Sequence, residues 1–230
     1  MTISHINVLH DASGAAAAAM RGDIVVIVDV INMSTTLEAA WEAGALGVFG
    51  ASPNHTRAPV FVNPWFMGYC AGRYAKSNKT EIILVTEPRV GTDREREEHA
   101  SYTIEGIKSA GFDRITVLPN LGTETIKMAD FSRKVVIAVT DSGGVAYDAA
   151  FNAGGIVTTA TVARSLTKKG LEPVHTGVNR ALTLAHLKNT GISIVAASSN
   201  SLEDVLAANF ISEYTVFCLD KVLYGTNPTF

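Results

Sequence analysis

The chain has 230 residues, 47% of them hydrophobic and 18% charged, with a formal net charge of −3. That length suits one large domain or two small ones sharing a core, the composition excludes a disordered chain, and the charge balance excludes a general electrostatic grip on nucleic acid. The two cysteines, Cys70 and Cys218, make no disulfide framework and fit a reducing cytoplasm, and no run reaches the ~18 apolar residues that a membrane span needs.

In chain order, Ala15–Ala19 predicts a short helix rather than a secretory leader. Asp11 and Asp23 flank it, Arg21 follows it and no basic stretch precedes it. Ile24–Val30 (IVVIVDV) is the clearest strand, a continuous β-branched run of the kind buried on both faces in a parallel or mixed sheet. Thr35–Gly44 reads as a helix, with Ser34 as N-cap and Gly44 as stop. Leu46–Gly50 is a weaker strand. Ser52–Tyr69, carrying Pro53, Pro59 and Pro64, reads as a surface loop or flap, with Val60–Val62 a weak strand inside it. Ile82–Thr86 is a strand, Arg94–Ala110 the longest helix, and Ile115–Leu118 and Val135–Thr140 are further strands. Gly143–Ala153, Thr161–Lys169 and Val178–Asn189 read as helices ended by Gly154, Gly170 and Gly191. Ile156–Thr159 and Thr215–Leu219 are weak strands, and Ile192–Ala197 is a strong one. Ser201–Asn209 opens on an approximate capping box from Ser201 to Asp204. The order predicts an α/β fold: a mixed, largely parallel sheet sandwiched by helices, in a single unit. A division into two lobes would fall near residues 115–135. No sequence repeat is evident.

Sites in open α/β sheets form at the carboxyl ends of strands, and three such ends carry suitable groups. In Asp29-Val30-Ile31-Asn32-Met33-Ser34-Thr35-Thr36, a carboxylate closes an apolar strand and three hydroxyl residues open a helix, offering a place for a cation beside an anion. In Thr140-Asp141-Ser142-Gly143-Gly144, paired glycines let backbone approach a ligand. In Ser199–Asp204, Glu203 or Asp204 offers a magnesium ligand. Each motif also has a plain structural reading: Ser34, Asp141 or Ser142 as caps, and the acid pair as helix-dipole partners. The six histidines show no ligand spacing, which argues against zinc. Both cysteines read as small buried hydrophobes, and Trp41 and Trp65 as core or interface residues. Arg89 to Glu98 reads as a solvated helix start, from which Arg89 or Arg94 could reach an anion.

Taken together, the motifs resemble the 2-phosphosulfolactate phosphatase family. IVVIVDVINMSTTLEAAWEAGA is similar to its N-terminal signature, with Asp29, Val30, Ser34, Thr35, Thr36, Ala40, Gly44 and Ala45 in place. SLEDVLAANFI is similar to a later motif, with Ser201, Glu203, Asp204, Ala207, Ala208 and Ile211 in place. TVARS at Thr161–Ser165 is a looser match to a helix start, and Ser52 to about Phe131 has no counterpart. The resemblance implies the family's fold and Mg2+-assisted hydrolysis of a small phosphate monoester. Asp29, Asp141 and Glu203 would act in catalysis, and Asp29, Glu203 and Asp204 would hold Mg2+. Asn32, Ser34, Thr35, Thr36, Ser142, Gly143 and Gly144 would bind the substrate. Lyase or isomerase chemistry, or metabolite binding without turnover, are the alternatives on the same scaffold. Two family arginines are replaced here, by Asn32 and Val145. The expected substrate is therefore a small anion less charged than 2-phosphosulfolactate, unless Arg73, Arg89 or Arg94 substitutes. The expected setting is a cytoplasmic homodimer or larger homo-oligomer, with neither nucleic acid nor membrane as partner.

Overall fold

Strands that are apolar on both faces need cover on both sides. The computed structural model, which describes residues 3–224, meets that need twice. The chain begins with β1 (Ile6–His10), α1 (Asp11–Met20), β2 (Ile24–Val28), α2 (Met33–Glu42), β3 (Gly47–Ala51) and α3 (Pro64–Ser77). It continues through β4 (Ile82–Thr86), α4 (Asp93–His99), α5 (Ser101–Ser109), β5 (Ile115–Pro119), a 3-10 segment (Gly122–Met128) and β6 (Val135–Val139). It closes with α6 (Gly143–Asn152), β7 (Ile156–Thr159), α7 (Glu172–Lys188), β8 (Ile192–Ala196) and α8 (Leu202–Tyr224). The expected α/β fold of largely parallel strands sandwiched by helices is present, with the strands divided between two sheets, ordered β1-β8-β2-β7 and β3-β6-β4-β5, and every neighbouring pair parallel.

The chain crosses between the sheets twice. It leaves the first sheet at β2 and passes through α2 to β3 in the second; it leaves the second at β6 and passes through α6 to β7 in the first. α2 and α6 therefore touch strands of both sheets, with α1 packed on α6. α7 and α8 cover the outer face of the first sheet, and α3 and α4 that of the second, with α5 packed on α3. The period-two alternation of β2 shows the layering: Val25 and Ile27 join the inner core, whereas Ile24, Val26 and Val28 face α7 and α8. No helix among the described residues is long and apolar enough to cross a membrane.

Read from its β1 edge, the first sheet is β1-β8-β2-β7; read from its β5 edge, the second is β5-β4-β6-β3. The two crossing units are equivalent under this correspondence, and EAAWEAG (Glu38–Gly44) then aligns with DAAFNAG (Asp148–Gly154). The repeat that the sequence alone conceals is thus a pair of β-α-β units that exchange their second strands.

Several local expectations change. β1 is a half-exposed edge strand with too little apolar character to stand out. β2 stops at Val28, and α2 starts at Met33 behind Asn32, so Ser34 is not its cap. Pro64 opens a helix as its first residue, with Asn63 Oδ1 accepting from the Phe66 N–H at 3.0 Å. Val60–Val62 is a loop that packs on Ala12, Ala16, Val145 and Ala149. Arg94–Ala110 divides at Ala100 into α4 and α5. Thr161–Lys169 is a loop, and the helix begins only at Glu172. Thr215–Leu219 lies within α8.

Equivalent buried acids lock the exchange. Glu38 on α2 accepts from Thr159 Oγ1 at 2.6 Å and pairs bidentately with Arg180 of α7, at 2.8 and 2.7 Å. Asp148 on α6 accepts from Ser52 N–H (3.0 Å), Ser52 Oγ (2.6 Å) and Asn63 N–H (2.7 Å). Truncating one member of such a pair strands the other charge. Glu38→Ala should destabilise the protein by about 3–5 kcal/mol in urea denaturation. Pairing it with Arg180→Met should recover much of that loss, and additive losses would contradict a coupled ion pair.

Candidate functional site

The carboxyl ends of β2, β4, β6 and β8 meet where the N-termini of α2 and α6 converge between the sheets. Asp29, just past β2, is 4% exposed, and its Oδ2 accepts from the Gly143 N–H at 2.8 Å. A Cβ on residue 143 would fall 2.4 Å from that oxygen and 2.8 Å from Asp29 Cβ, so only glycine permits this approach. Asp204, in the first turn of α8, accepts from the Val30 N–H at 2.8 Å. Burial first, and then the neighbouring Asp204 charge, push Asp29 up to about 6 against the pull of the Gly143 and Met33 amides. The Glu87 charge adds to the push. Burial is also the leading cause that raises Asp204.

A second group lies beside them. Glu87 follows β4, Asp141 follows β6 and His99 closes α4; one ligand atom from each lies within 4.8 Å of the others. The Thr86 hydroxyl donates to the Val139 carbonyl at 3.1 Å, so its oxygen accepts from His99 Nδ1 at 2.9 Å. The neutral ring then carries its lone pair on Nε2, which faces Asp141 Oδ1 at 4.0 Å. Burial lowers the His99 pKa and favours that neutral form, against the pull of Asp141. Burial, and next the Asp141 charge, raise Glu87, while Arg89 lowers it. The inner ligands of one divalent cation lie about 3–4 Å apart when each is ~2.1 Å from the ion, so these two carboxylates and the imidazole lone pair, within 4.8 Å of one another, would have to draw together to hold one. The hydroxyl on Nδ1 supplies the outer hydrogen bond that orients a histidine ligand.

The structure brings Asp29, Asp141, Gly143 and Asp204 together and leaves Glu203 on the exposed side of α8. Ser34 is fully buried, donating to its neighbour's carbonyl (Asp29 O, 2.6 Å) and accepting from the Asp29 N–H (3.0 Å). Thr35 Oγ1 donates to Val30 O at 2.8 Å and meets Thr161 Oγ1 at 2.9 Å. Thr36 Oγ1 donates to Asn120 Oδ1 at 2.7 Å. These three hydroxyls thus brace the β2–α2 turn. Ser142 stands at the cap position of α6 without a side-chain cap bond, and the Gly144 N–H goes to Thr140 Oγ1 at 2.8 Å. Asn32 holds the cap position of α2, and one arm of its amide lies 3.1 Å from Arg89 Nε and 2.9 Å from Nη2; with the amide turned so that this arm is the oxygen, it accepts from both. A guanidinium thus stands against a position where the phosphatase motif has its own.

Glu87 and His99 escape the sequence reading. Glu87 carried the same signature as Asp29, an acid directly after a buried β-branched strand. His99 carried none, since only the fold of α4 brings it to the strand ends. Two clefts open on either side of the site. One, of about 450 Å3, is lined by Asp11, His55, Arg57, Asp141 and Ser142; the other, of about 500 Å3, by Asn32, Thr35, Lys127, Arg164 and Lys169.

No protein-family model matches the chain, and no curated protein matches it. The resemblance to the 2-phosphosulfolactate phosphatases rests on the motifs quoted above.

Asp29 gives the site a measurable pH signature. Its carboxyl titrates near 3.8 in an unfolded chain and at about 6 in the fold. Between those values the folded protein holds a proton that the unfolded chain has lost, so this group's contribution to stability is present at low pH and falls as pH rises, by about 3 kcal/mol across the window. Asn in its place still accepts from Gly143 but never ionises. Asp29→Asn should therefore flatten the decline between about pH 4 and pH 6.5 and be the more stable protein at neutral pH. Parallel pH profiles for the two proteins would contradict the assignment.

Proposed function

We propose that the protein hydrolyses a small phosphate monoester with a divalent cation, Mg2+ or Mn2+, bound by Glu87, His99 Nε2 and Asp141. The observation that supports this most is the His99 lone pair turned toward two carboxylates at the carboxyl ends of parallel strands. Mg2+ suits the carboxylates, and the imidazole extends the set to Mn2+. Such a cation would offset the negative charge that develops on the phosphoryl oxygens. The chain supplies the rest. The N-termini of α2 and α6 direct amide dipoles toward an anion between them. The Arg89 guanidinium, held by Asn32, adds a positive charge suited to phosphoryl oxygens. Asp29, poised at about 6, can hold or release a proton beside the reacting group. Water attacks phosphorus, the ester P–O bond breaks, and the leaving alkoxide takes up a proton. Asp204 fixes the β2 end through Val30, and Glu203 has no part in this scheme.

The test is phosphate release from a panel of small monoesters, with and without each cation. Wild type should turn over at least one in a cation-dependent way, and His99→Ala and Asp141→Asn should each lower that rate by about 100-fold. Cation-induced stabilisation without turnover of any ester would favour a non-catalytic binder, and no response to either cation would reject the site.

A cytoplasmic setting fits a chain whose described residues include no disulfide. The exposed Phe61, in the loop before α3, and Trp65 and Phe66 in its first turn support association into a homodimer. Sedimentation at micromolar concentration should give twice the chain mass, and Trp65→Glu should shift it to the monomer. A monomeric wild type would refute the dimer.

A further inference from the structure

We propose that Arg96 is a positioning residue for the cation centre: its buried guanidinium holds the loop between β4 and α4, residues 87–92, in the shape that brings Glu87 and Arg89 to the strand ends. This rests on the reading of the catalytic centre above and adds the residue that sets its geometry.

The loop has little else to hold it. Residues 87–92 belong to no helix or strand, so their carbonyls join no ladder. They bury no apolar anchor either, since Val90 is 93% exposed and Pro88 only half-buried. From residue 87 to residue 99, Arg96 is the one fully buried position, with its side chain 8% exposed. Arg96 Nε donates to the Pro88 carbonyl at 3.0 Å, and Nη2 donates to the carbonyls of Gly91 at 3.0 Å and Arg89 at 3.3 Å. Nη1 donates to Asp93 Oδ1 at 2.9 Å, at the start of α4. A rigid planar fork can gather carbonyls that diverge along a bend; an ammonium, whose donors share one atom, cannot. The capping box joins Thr92 to Glu95 and so fixes the helix start rather than the loop before it.

The piece of chain held in this way carries much of the proposed centre. Glu87 is its first residue, and Arg89 lies against the Asn32 amide at the cap of α2. His99 follows Arg96 by one helical turn, but that end of α4 has its own anchor: the Asn54 N–H donates to the His99 carbonyl at 3.0 Å. Loss of Arg96 should therefore release Glu87 and Arg89 and leave His99 in place. The ligand atoms of Glu87, His99 and Asp141 lie within 4.8 Å of one another and have to draw together around a cation. A cation that draws Glu87 inward favours the held loop, and a held loop favours the cation; each strengthens the other by the same factor.

The test measures binding of the metal alone. Wild type should bind Mn2+ in a calorimetric titration. Arg96→Lys, which keeps the charge and loses the fork, should bind it about 10–100-fold more weakly, the range found for groups that orient metal ligands. Asp93→Ala removes the exposed arm of the network and keeps the carbonyl bonds, so it should bind Mn2+ as wild type does. The reciprocal measurement needs no variant: in heteronuclear NMR of wild type, saturating Mg2+ should slow solvent exchange of the Arg96 Nε–H. An arginine with a structural role alone would lower the unfolding midpoint on substitution and move neither quantity. Unchanged Mn2+ affinity in Arg96→Lys, Nε–H exchange indifferent to Mg2+, or a loss in Asp93→Ala as large as in Arg96→Lys would overturn the positioning role while the centre stands. Failure of wild type to bind either cation would reject the centre and the role of Arg96 with it.

Discussion

Asp29 Oδ2 accepting the Gly143 N–H is the contact on which the site's geometry depends. It joins the end of a strand in one sheet to the start of a helix that descends from the other. That helix lies there because the chain crosses between sheets twice, so α2 and α6 are covered from both sides and their N-termini have to emerge together. The approach leaves no room for a side chain at residue 143. It also holds a carboxylate where burial opposes its charge, offset only in part by two backbone amides. The fold therefore places an unfavourable charge at its centre, and in the proposed function the surroundings give that charge a use.

The neighbouring groups extend the same imbalance. Asp29, Glu87 and Asp204 are all raised, with burial the first cause in each. Arg89 is the cation that acts on Glu87, and it is shared with Asn32. A structural network would be expected to balance its acids with lysine or arginine, as Glu38 does with Arg180 in this chain. An acid cluster left short of positive charge, with an oriented imidazole lone pair at its edge, is what supports the proposed bound cation.

The strands β2, β4, β6 and β8 were legible because each is a continuous apolar run, and Asp29 because an acid interrupts one of them. The choice between Glu203 and Asp204 was open to a reading of helical phase. Asp204 shares a face with Ala207, Ala208 and Ile211, all buried, whereas Glu203 does not. The division into two sheets was not legible, since strand order depends on pairings between segments far apart in the chain, and without it the likeness of Glu38–Gly44 to Asp148–Gly154 has no meaning. Thr161–Lys169 has a helix-like pattern but is a loop, because its order comes from one distant acid, Glu42, rather than from local periodicity. The α3 helix was hidden by Pro64, which reads as a breaker until its place at the first helical position is known.

The most direct measurement of the central claim is the position of a bound cation. Crystals grown with Mn2+ and recorded at an energy where manganese scatters anomalously should show one strong peak within coordinating distance, about 2.0–2.3 Å, of Glu87, His99 Nε2 and Asp141. A peak between Asp29 and Asp204 with His99 unligated, or no ordered peak at the strand ends, would contradict it.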